Sequence, residues 1–270
     1  MAAHCLQGEL RFVVAIRPVS SELPQASSGP LTATHDFTVD TKLNILIPMS
    51  GAGRRFMEAG YKIPKTLIDV FGKPMIQRVV ENIALKGRYI FIVQSSLNAD
   101  ELLETIAPGC LIITTNALTE GAACSTLLAK EYIDNENPLL IANSDQLVEW
   151  NPIDFIGRMQ NLRADGGILT FLAHHPKWSY VRCDYGKVIE VAEKKVISNM
   201  ATVGIYYYHK GSDYVRYAEQ MIAKNIRVNG EFYVAPVFNE YIADGKVVLT
   251  HPCEEMHGLG TPEDLAAYLK

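Results

Sequence analysis

From Leu43 onward, short apolar runs alternate with segments of helical period: "LNILIPM", "YIFIVQ", "CLIITT", "PLLIANSD" and "GGILTFLA" are separated by "KPMIQRVVENIALKG", "NADELLETIA", "GAACSTLLAKEYI" and "NPIDFIGRMQNLR". This alternation constrains the fold more than any other feature. Apolar runs of four to eight residues bounded by turn signals suit strands buried on both faces. Strands buried on both faces need helices above and below them. The reading is an α/β chain with a three-layer α/β/α sheet. Pro74 near the first turn and Gly87 past the end bound the first long helix. Asn98 with Glu101 three residues on reads as the start of the next.

After about residue 175 the rhythm changes. "SYVRCDYGKVIEVAEK" reads as a hairpin around Asp184, Tyr185 and Gly186, and "ATVGIYYYH" as a strand. Helical stretches follow at about 211–225 and 231–243. The chain closes with "KVVLT" and a helix capped by Thr261 with Pro262 at its first position. Residues 42–270 therefore read as one domain, with an α/β half over about 42–165 that looks nucleotide-binding and a mixed half over about 166–270. Residues 1–41 differ. "SSELPQASSGPLTATHD" reads as a linker or loosely attached arm, and "RFVVAIRPV" before it as one extra strand.

The composition, 48% hydrophobic and 20% charged, suits a sizeable core. A formal net charge of −5 disfavours a nucleic acid partner. No apolar stretch is long enough for a membrane helix, and the start lacks a secretion signal, so the expectation is cytoplasmic. The five cysteines include no CxxC pair and suggest neither a disulfide framework nor a zinc site.

The chemistry lies in the loop after the first apolar run. "SGAGRR" places Gly51, Ala52 and Gly53 beyond a strand end, where ligands of open α/β sheets bind. Glycines permit close backbone approach, and backbone N–H groups there can cradle an anion. Arg54 and Arg55 can add charge-assisted bonds to phosphate oxygens. The loop is neither GxxxxGK[ST] nor GxGxxG, since Phe56 occupies the third glycine position, which argues against a kinase-type ATPase and a dinucleotide oxidoreductase.

"GAGRRF" followed by "PKTLIDVFGKPMI" resembles the signature of the nucleotidylyltransferases that activate sugar phosphates and related phosphorylated molecules. The pattern G-x-G-x-R-[LFM], P-K-x-L, V-x-G-K-P-[ML]-[IL] is matched by Gly51, Gly53, Arg55, Phe56, Pro64, Lys65, Leu67, Val70, Gly72, Lys73, Pro74, Met75 and Ile76. The wider resemblance covers residues 43–269. It implies a Rossmann-like, GT-A-like mixed sheet and transfer of a nucleoside monophosphate from a nucleoside triphosphate to a phosphorylated small molecule. A phosphate oxygen of the acceptor attacks the α-phosphorus and pyrophosphate leaves. Such chemistry is catalysed mainly by positioning and electrostatic stabilisation.

The resemblance implies that Arg55 holds the triphosphate and departing pyrophosphate, and that Lys65 bridges the α-phosphate and the incoming phosphate. It places Gly121 and Ala122 of "TEGAACS" against the nucleobase. Asn116 stands where relatives often carry a base-reading glutamine; an amide or backbone groups can do that reading. Asp145 falls at the metal-binding aspartate, for Mg²⁺ or Mn²⁺. Glu193 and Lys194 match an E-K-P segment that contacts the acceptor, with Lys195 in place of proline. Glu231 matches a second acceptor glutamate, or else is an acid at a helix start.

One departure stands out. The segment W-x-D-x-G-T, which carries a second metal aspartate in sugar-1-phosphate enzymes, is matched by "MHGLGT", with Met256 for tryptophan and Gly258 for the aspartate. This departure and the Lys195 variant move the chain away from the commonest hexose-1-phosphate enzymes; a sugar 1-phosphate is still the first expectation for the acceptor, with CTP and a non-sugar phosphate such as phosphocholine a close second. A glycosyltransferase consuming a nucleotide sugar is the alternative, as is a non-catalytic regulatory domain. Lys65, and the absence of a DxD motif, disfavour the glycosyltransferase. The base and the oligomeric state, homo-oligomer included, do not follow from these residues.

Overall fold

The computed structural model describes residues 42–270. The arm at 1–41 and its candidate strand lie outside the described residues. The first part runs β1 (Asn44–Pro48), α1 (Arg54–Glu58), β2 (Asp69–Val70), β3 (Lys73–Pro74), α2 (Met75–Ile83), β4 (Arg88–Gln94), α3 (Asp100–Ile106), β5 (Leu111–Thr115), α4 (Ala122–Leu127), α5 (Lys130–Ile133) and β6 (Leu139–Ala142). Then come β7 (Gln146–Glu149), α6 (Pro152–Asn161), β8 (Gly166–Leu172), β9 (Ser179–Asp184), β10 (Lys187–Glu193) and β11 (Met200–Tyr208). The chain ends with α7 (Gly211–Ala223), α8 (Val237–Ala243), β12 (Val248–Pro252), β13 (Glu255–Gly258) and α9 (Pro262–Tyr268).

Nine strands form one sheet in the order β5-β4-β1-β6-β11-β8-β12-β10-β9. The first four are mutually parallel. β11 enters antiparallel to both β6 and β8, which makes the sheet mixed. A further pairing of Ala201 with Tyr180 brings β11 back against β9, so the strands from β11 to β9 curl.

Strand alternation divides the core into two layers. Ile45, Ile47, Phe91 and Val93 pack on one face, with α2, α3, α6 and α9. Leu46, Ile90 and Ile92 pack on the other, with α4, α5, α7 and α8. Successive side chains of a strand point to opposite faces, and here both faces are apolar and covered. The expected three-layer α/β/α fold is what forms. Tyr206, Tyr207 and Tyr208 follow the same rule: all three are buried, Tyr207 on the first face and its neighbours on the second.

Some local expectations fail for identifiable reasons. α2 stops at Ile83 because Ala84 turns left-handed, three residues short of the end expected before Gly87. Gly87 instead meets the sheet: a Cβ there would lie 2.5 Å from the Leu43 carbonyl oxygen. Asn98 is left-handed and precedes the helix, and Ala99 is the N-cap of α3. The stretch at 122–133 breaks into two short helices, and the helix expected from 231 begins only at Val237. Thr261 caps α9 by accepting from the Asp264 N–H, and Pro262 opens it, as expected. Cys110, Cys183 and Cys253 are free thiols. Cys124 is not free. Among the described residues no helix is long and apolar enough to cross a membrane.

Candidate functional site

A cleft of about 1180 Å³ opens beyond the carboxyl ends of the parallel strands. Its wall contains Gly51, Ala52, Gly53, Arg54, Arg55, Lys65, Gly121, Ala122, Asp145, Glu193, Lys194 and Glu231. Residues 180 positions apart in the chain thus share one cavity. Asn116 does not join them. Thr115 ends β5 with its side chain buried, and alternation turns Asn116 outward to an exposed position.

At one end, the turn after β1 is left-handed at Gly53, which starts α1 and aims Arg54 and Arg55 into the cleft opening. Both arginines are exposed, and neither has a carboxylate partner among the described residues. Phe56, between them and the core, is buried and anchors the turn. The single 3-10 turn Lys65–Leu67 packs on this loop, with Lys65 Cβ 3.5 Å from where a Gly53 Cβ would stand. Lys65 Nζ donates to Asp145 Oδ2 at 2.8 Å, and both side chains are about a quarter exposed (23% and 24%). Asp145 follows β6, and its carbonyl accepts from the Leu259 N–H at 2.7 Å.

Gly121 joins the two halves for a reason the sequence does not reveal. Its φ is 128°, and a Cβ would lie 2.4 Å from the Phe232 carbonyl oxygen. Phe232 N–H donates to Glu120 O, and Ala123 N–H donates to Phe232 O. The glycine is thus required by the backbone of the Glu231 segment. Glu231 itself sits in a turn bridged to Val228, six residues before α8, so the helix-start reading of this acid fails. Ser50, Thr119 and Ser125 form a hydroxyl chain at the same end, and Gln94 Nε2 ties the Ser50 and Ala117 carbonyls together.

In the same cleft, Glu193 closes β10 and accepts from the Ser179 hydroxyl. Burial pushes its carboxyl above the usual range, while Ser179 and Lys194 pull it back and Glu231 adds to the rise. Lys194 is left-handed and donates to the Tyr233 hydroxyl, with Nζ 4.6 Å from the ring centroid. Burial, then the neighbouring Glu231, push the Tyr233 phenol upward. Trp178, Lys177 and Tyr233 also line the cleft and were not singled out by sequence. Their available signal was the aromatic residues flanking matched segments, "KWS" and "EFY".

The raised Glu193 carboxyl carries a stability consequence with a definite sign. Its ionised form is disfavoured in the folded chain, so folding loses stability as pH rises through its folded pKa. Glu193→Gln is therefore expected to raise the thermal midpoint at pH 8, with the gain shrinking toward zero below the ordinary carboxyl value of 4.5, near pH 4. Melting curves at the two pH values check this; an equal gain at both excludes the ionised carboxylate as the cause.

The metal position can be judged from its donors. Asp145 offers a carboxylate beside the arginines. Gly258 offers none, and a Cβ there would stand 2.9 Å from Trp178 Cη2. His257 faces Tyr268 and groups with Glu149 and Glu255, all outside the cleft wall. One carboxylate fits a hard divalent cation whose remaining oxygens come from phosphates and water.

A Rossmann-like sheet with its cleft beyond the parallel strand ends is the architecture of nucleotide-binding α/β proteins. The family described as Nucleotidyl transferase matches residues 45–267, and the chain belongs to it. It is 25% identical over 234 residues to the bifunctional protein GlmU of Thermotoga sp. strain RQ2, an alignment covering 83% of this chain and 50% of that protein. The GlmU of Thermotoga maritima aligns over the same shares at 24%. The chain spans about half the length of these curated relatives. Among solved structures, the nucleoside-diphosphate-sugar pyrophosphorylase from Vibrio cholerae RC9 superposes with a TM-score of 0.72 at 24% identity, covering 83% of this chain and 99% of that one. A UDP-glucose pyrophosphorylase complexed with UDP-glucose gives 0.68 at 18%, covering 84% and 96%. At these identities the superpositions carry the fold.

Proposed function

We propose that the chain transfers a nucleoside monophosphate from a nucleoside triphosphate to a sugar phosphate and releases pyrophosphate. The carrying observation is that one cleft gathers Arg54, Arg55 and Lys65 with Asp145 from the first part of the chain and Glu193, Lys194 and Glu231 from the second. On this reading residues of about 42–165 hold the nucleotide and those of about 166–270 the acceptor.

The chain's own groups would act as follows. Arg54 and Arg55 hold the β- and γ-phosphates and take up the charge that grows on leaving pyrophosphate. Lys65 stands between the α-phosphate and the attacking phosphate and lowers their mutual repulsion. No base is needed, because a phosphate monoester is already anionic near neutral pH. Gly121 and Ala122 flank the nucleobase. Lys194 pairs with the acceptor's phosphate, while Glu193 and Glu231 accept hydrogen bonds from its hydroxyls. Asp145 holds a divalent cation, Mg²⁺ or Mn²⁺, which when bound offsets triphosphate charge.

Sugar phosphate is favoured over a cationic acceptor such as phosphocholine by a local feature. Two aromatic rings near Glu193 and Lys194 already face ammonium groups: Lys177 Nζ lies 4.5 Å from the Trp178 centroid, and Lys194 Nζ 4.6 Å from that of Tyr233. A second cation on either ring would meet like charge. The solved relatives are described as pyrophosphorylases and a glucose-1-phosphate thymidylyltransferase, which supports the same acceptor class. Supply of nucleoside triphosphate suits a cytoplasmic setting.

The test is a pyrophosphate-release screen of four nucleoside triphosphates against sugar 1-phosphates and phosphocholine, with Mg²⁺ and with EDTA. Release is expected with a sugar 1-phosphate and metal, and not in EDTA. Release with phosphocholine alone would replace the acceptor. No release from any pair would remove the reading.

A further inference from the structure

The Lys65–Asp145 ion pair joins two groups that, on the reading above, have different partners during the reaction. Asp145 Oδ2 accepts from Lys65 Nζ at 2.8 Å. Neither group is buried away: both side chains are about a quarter exposed, at 23% and 24%. The arginines next to them behave differently. Arg54 and Arg55 are exposed and have no carboxylate partner among the described residues. An arriving polyphosphate therefore meets two free guanidiniums and one ammonium that is already engaged.

We propose that this ion pair is a latch in which Lys65 stands in for the cation at Asp145 until a triphosphate draws it away. The argument is one of charge pairing. A carboxylate in a partly desolvated cleft is costly when unpaired, and so is an ammonium. Paired as they are, each satisfies the other. A triphosphate entering without a cation must pull Lys65 off Asp145 and leaves that carboxylate unpaired beside phosphate oxygens. A triphosphate entering with its cation exchanges both partners at once: Lys65 turns to phosphate, Asp145 receives the cation, and no charge is left over. The pair thus penalises binding of bare triphosphate and couples nucleotide entry to metal entry. Asp145 is held for this exchange, since its carbonyl is fixed by Leu259 N–H at 2.7 Å and a Cβ on Gly260 would lie 3.1 Å from Oδ2.

The inference rests on the proposed triphosphate site, and its test reads binding alone. Inorganic tripolyphosphate, which carries no base, and UTP are titrated in EDTA by calorimetry. The proteins are the parent, Asp145→Asn, Lys65→Met and the double variant, each checked by its thermal midpoint. Asp145→Asn is expected to tighten metal-free binding at least tenfold, although it lowers turnover. In the Lys65→Met background the same change removes only charge repulsion, so its effect is expected to be at least threefold smaller. An effect as large or larger without Lys65 overturns the latch. Binding of neither probe by any of the four proteins overturns the triphosphate site itself. Lys65→Gln with Asp145→Ala gives a second cycle should a member of the first fail to fold.

Discussion

Lys65→Ala is expected to lower turnover by at least ~100-fold while the fold persists, because removing one electrostatic stabiliser of a transition state costs on the order of 10²–10³ in rate. The side chain is a quarter exposed and its one ion pair lies in the cleft, so the core does not depend on it. Its backbone belongs to a 3-10 turn that alanine also tolerates. Turnover, once the screen has identified the substrate pair, is measured beside the melting curve. A variant that melts like the parent and turns over like it would take Lys65 out of the chemistry. Lys65→Arg separates charge from geometry: a guanidinium restores the charge but not the compact single point of an ammonium.

Gly121→Ala is expected to produce the largest loss of stability among single-methyl changes at the cleft. The position combines a φ of 128° with a Cβ only 2.4 Å from a backbone oxygen of Phe232, and neither neighbour is a flexible side-chain end. Forbidden backbone geometry alone costs about 1–3 kcal/mol, and the clash adds to it. A loss of ~3 kcal/mol or more lowers the midpoint of a chain this size by roughly 10 °C. Gly51→Ala is the matched control: nothing lies within 4 Å of its Cβ position. It is expected to stay within ~0.5 kcal/mol of the parent. Similar melting of both variants would mean that the segment carrying Glu231 yields easily. A rise in acceptor KM for Gly121→Ala should accompany the destabilisation, because that segment is hydrogen-bonded to Glu120 and Ala123.

What could be read in the sequence follows from how local each signal is. The layers were legible because alternating strand residues fill two apolar faces and the period of a strand is short. The cap at Thr261 and the turn at Tyr185 and Gly186 were legible because their hydrogen bonds and dihedral angles are set within four residues. The turn after β1 was legible because glycine marks a backbone that can go left-handed, as Gly53 does. The remainder depended on distant partners. Nothing near Gly121 in sequence announces Phe232. The pairing of β7 with β13 joins residues more than a hundred positions apart through strands of four residues. Asn98 failed as a cap because a left-handed asparagine looks the same in sequence as a capping one. Asn116 was placed by a family pattern, and one step of strand alternation turned it away from the cleft.

Gly258 and Trp178 have a consequence for the chain's evolutionary neighbourhood. The indole is held at its far side by Phe171, with ring centroids 5.5 Å apart, and by Lys177, which is itself tied to Asp264 at 3.0 Å. Its leading edge takes the volume that any side chain at 258 would need. The two positions therefore do not drift independently. A lineage that places a carboxylate at 258 must first shrink residue 178, and one that has acquired the indole has closed the direct route back. Homologues are expected to divide into two populations, large at 178 with glycine at 258 or small at 178 with a side chain at 258, and intermediates carrying both bulky groups should be rare.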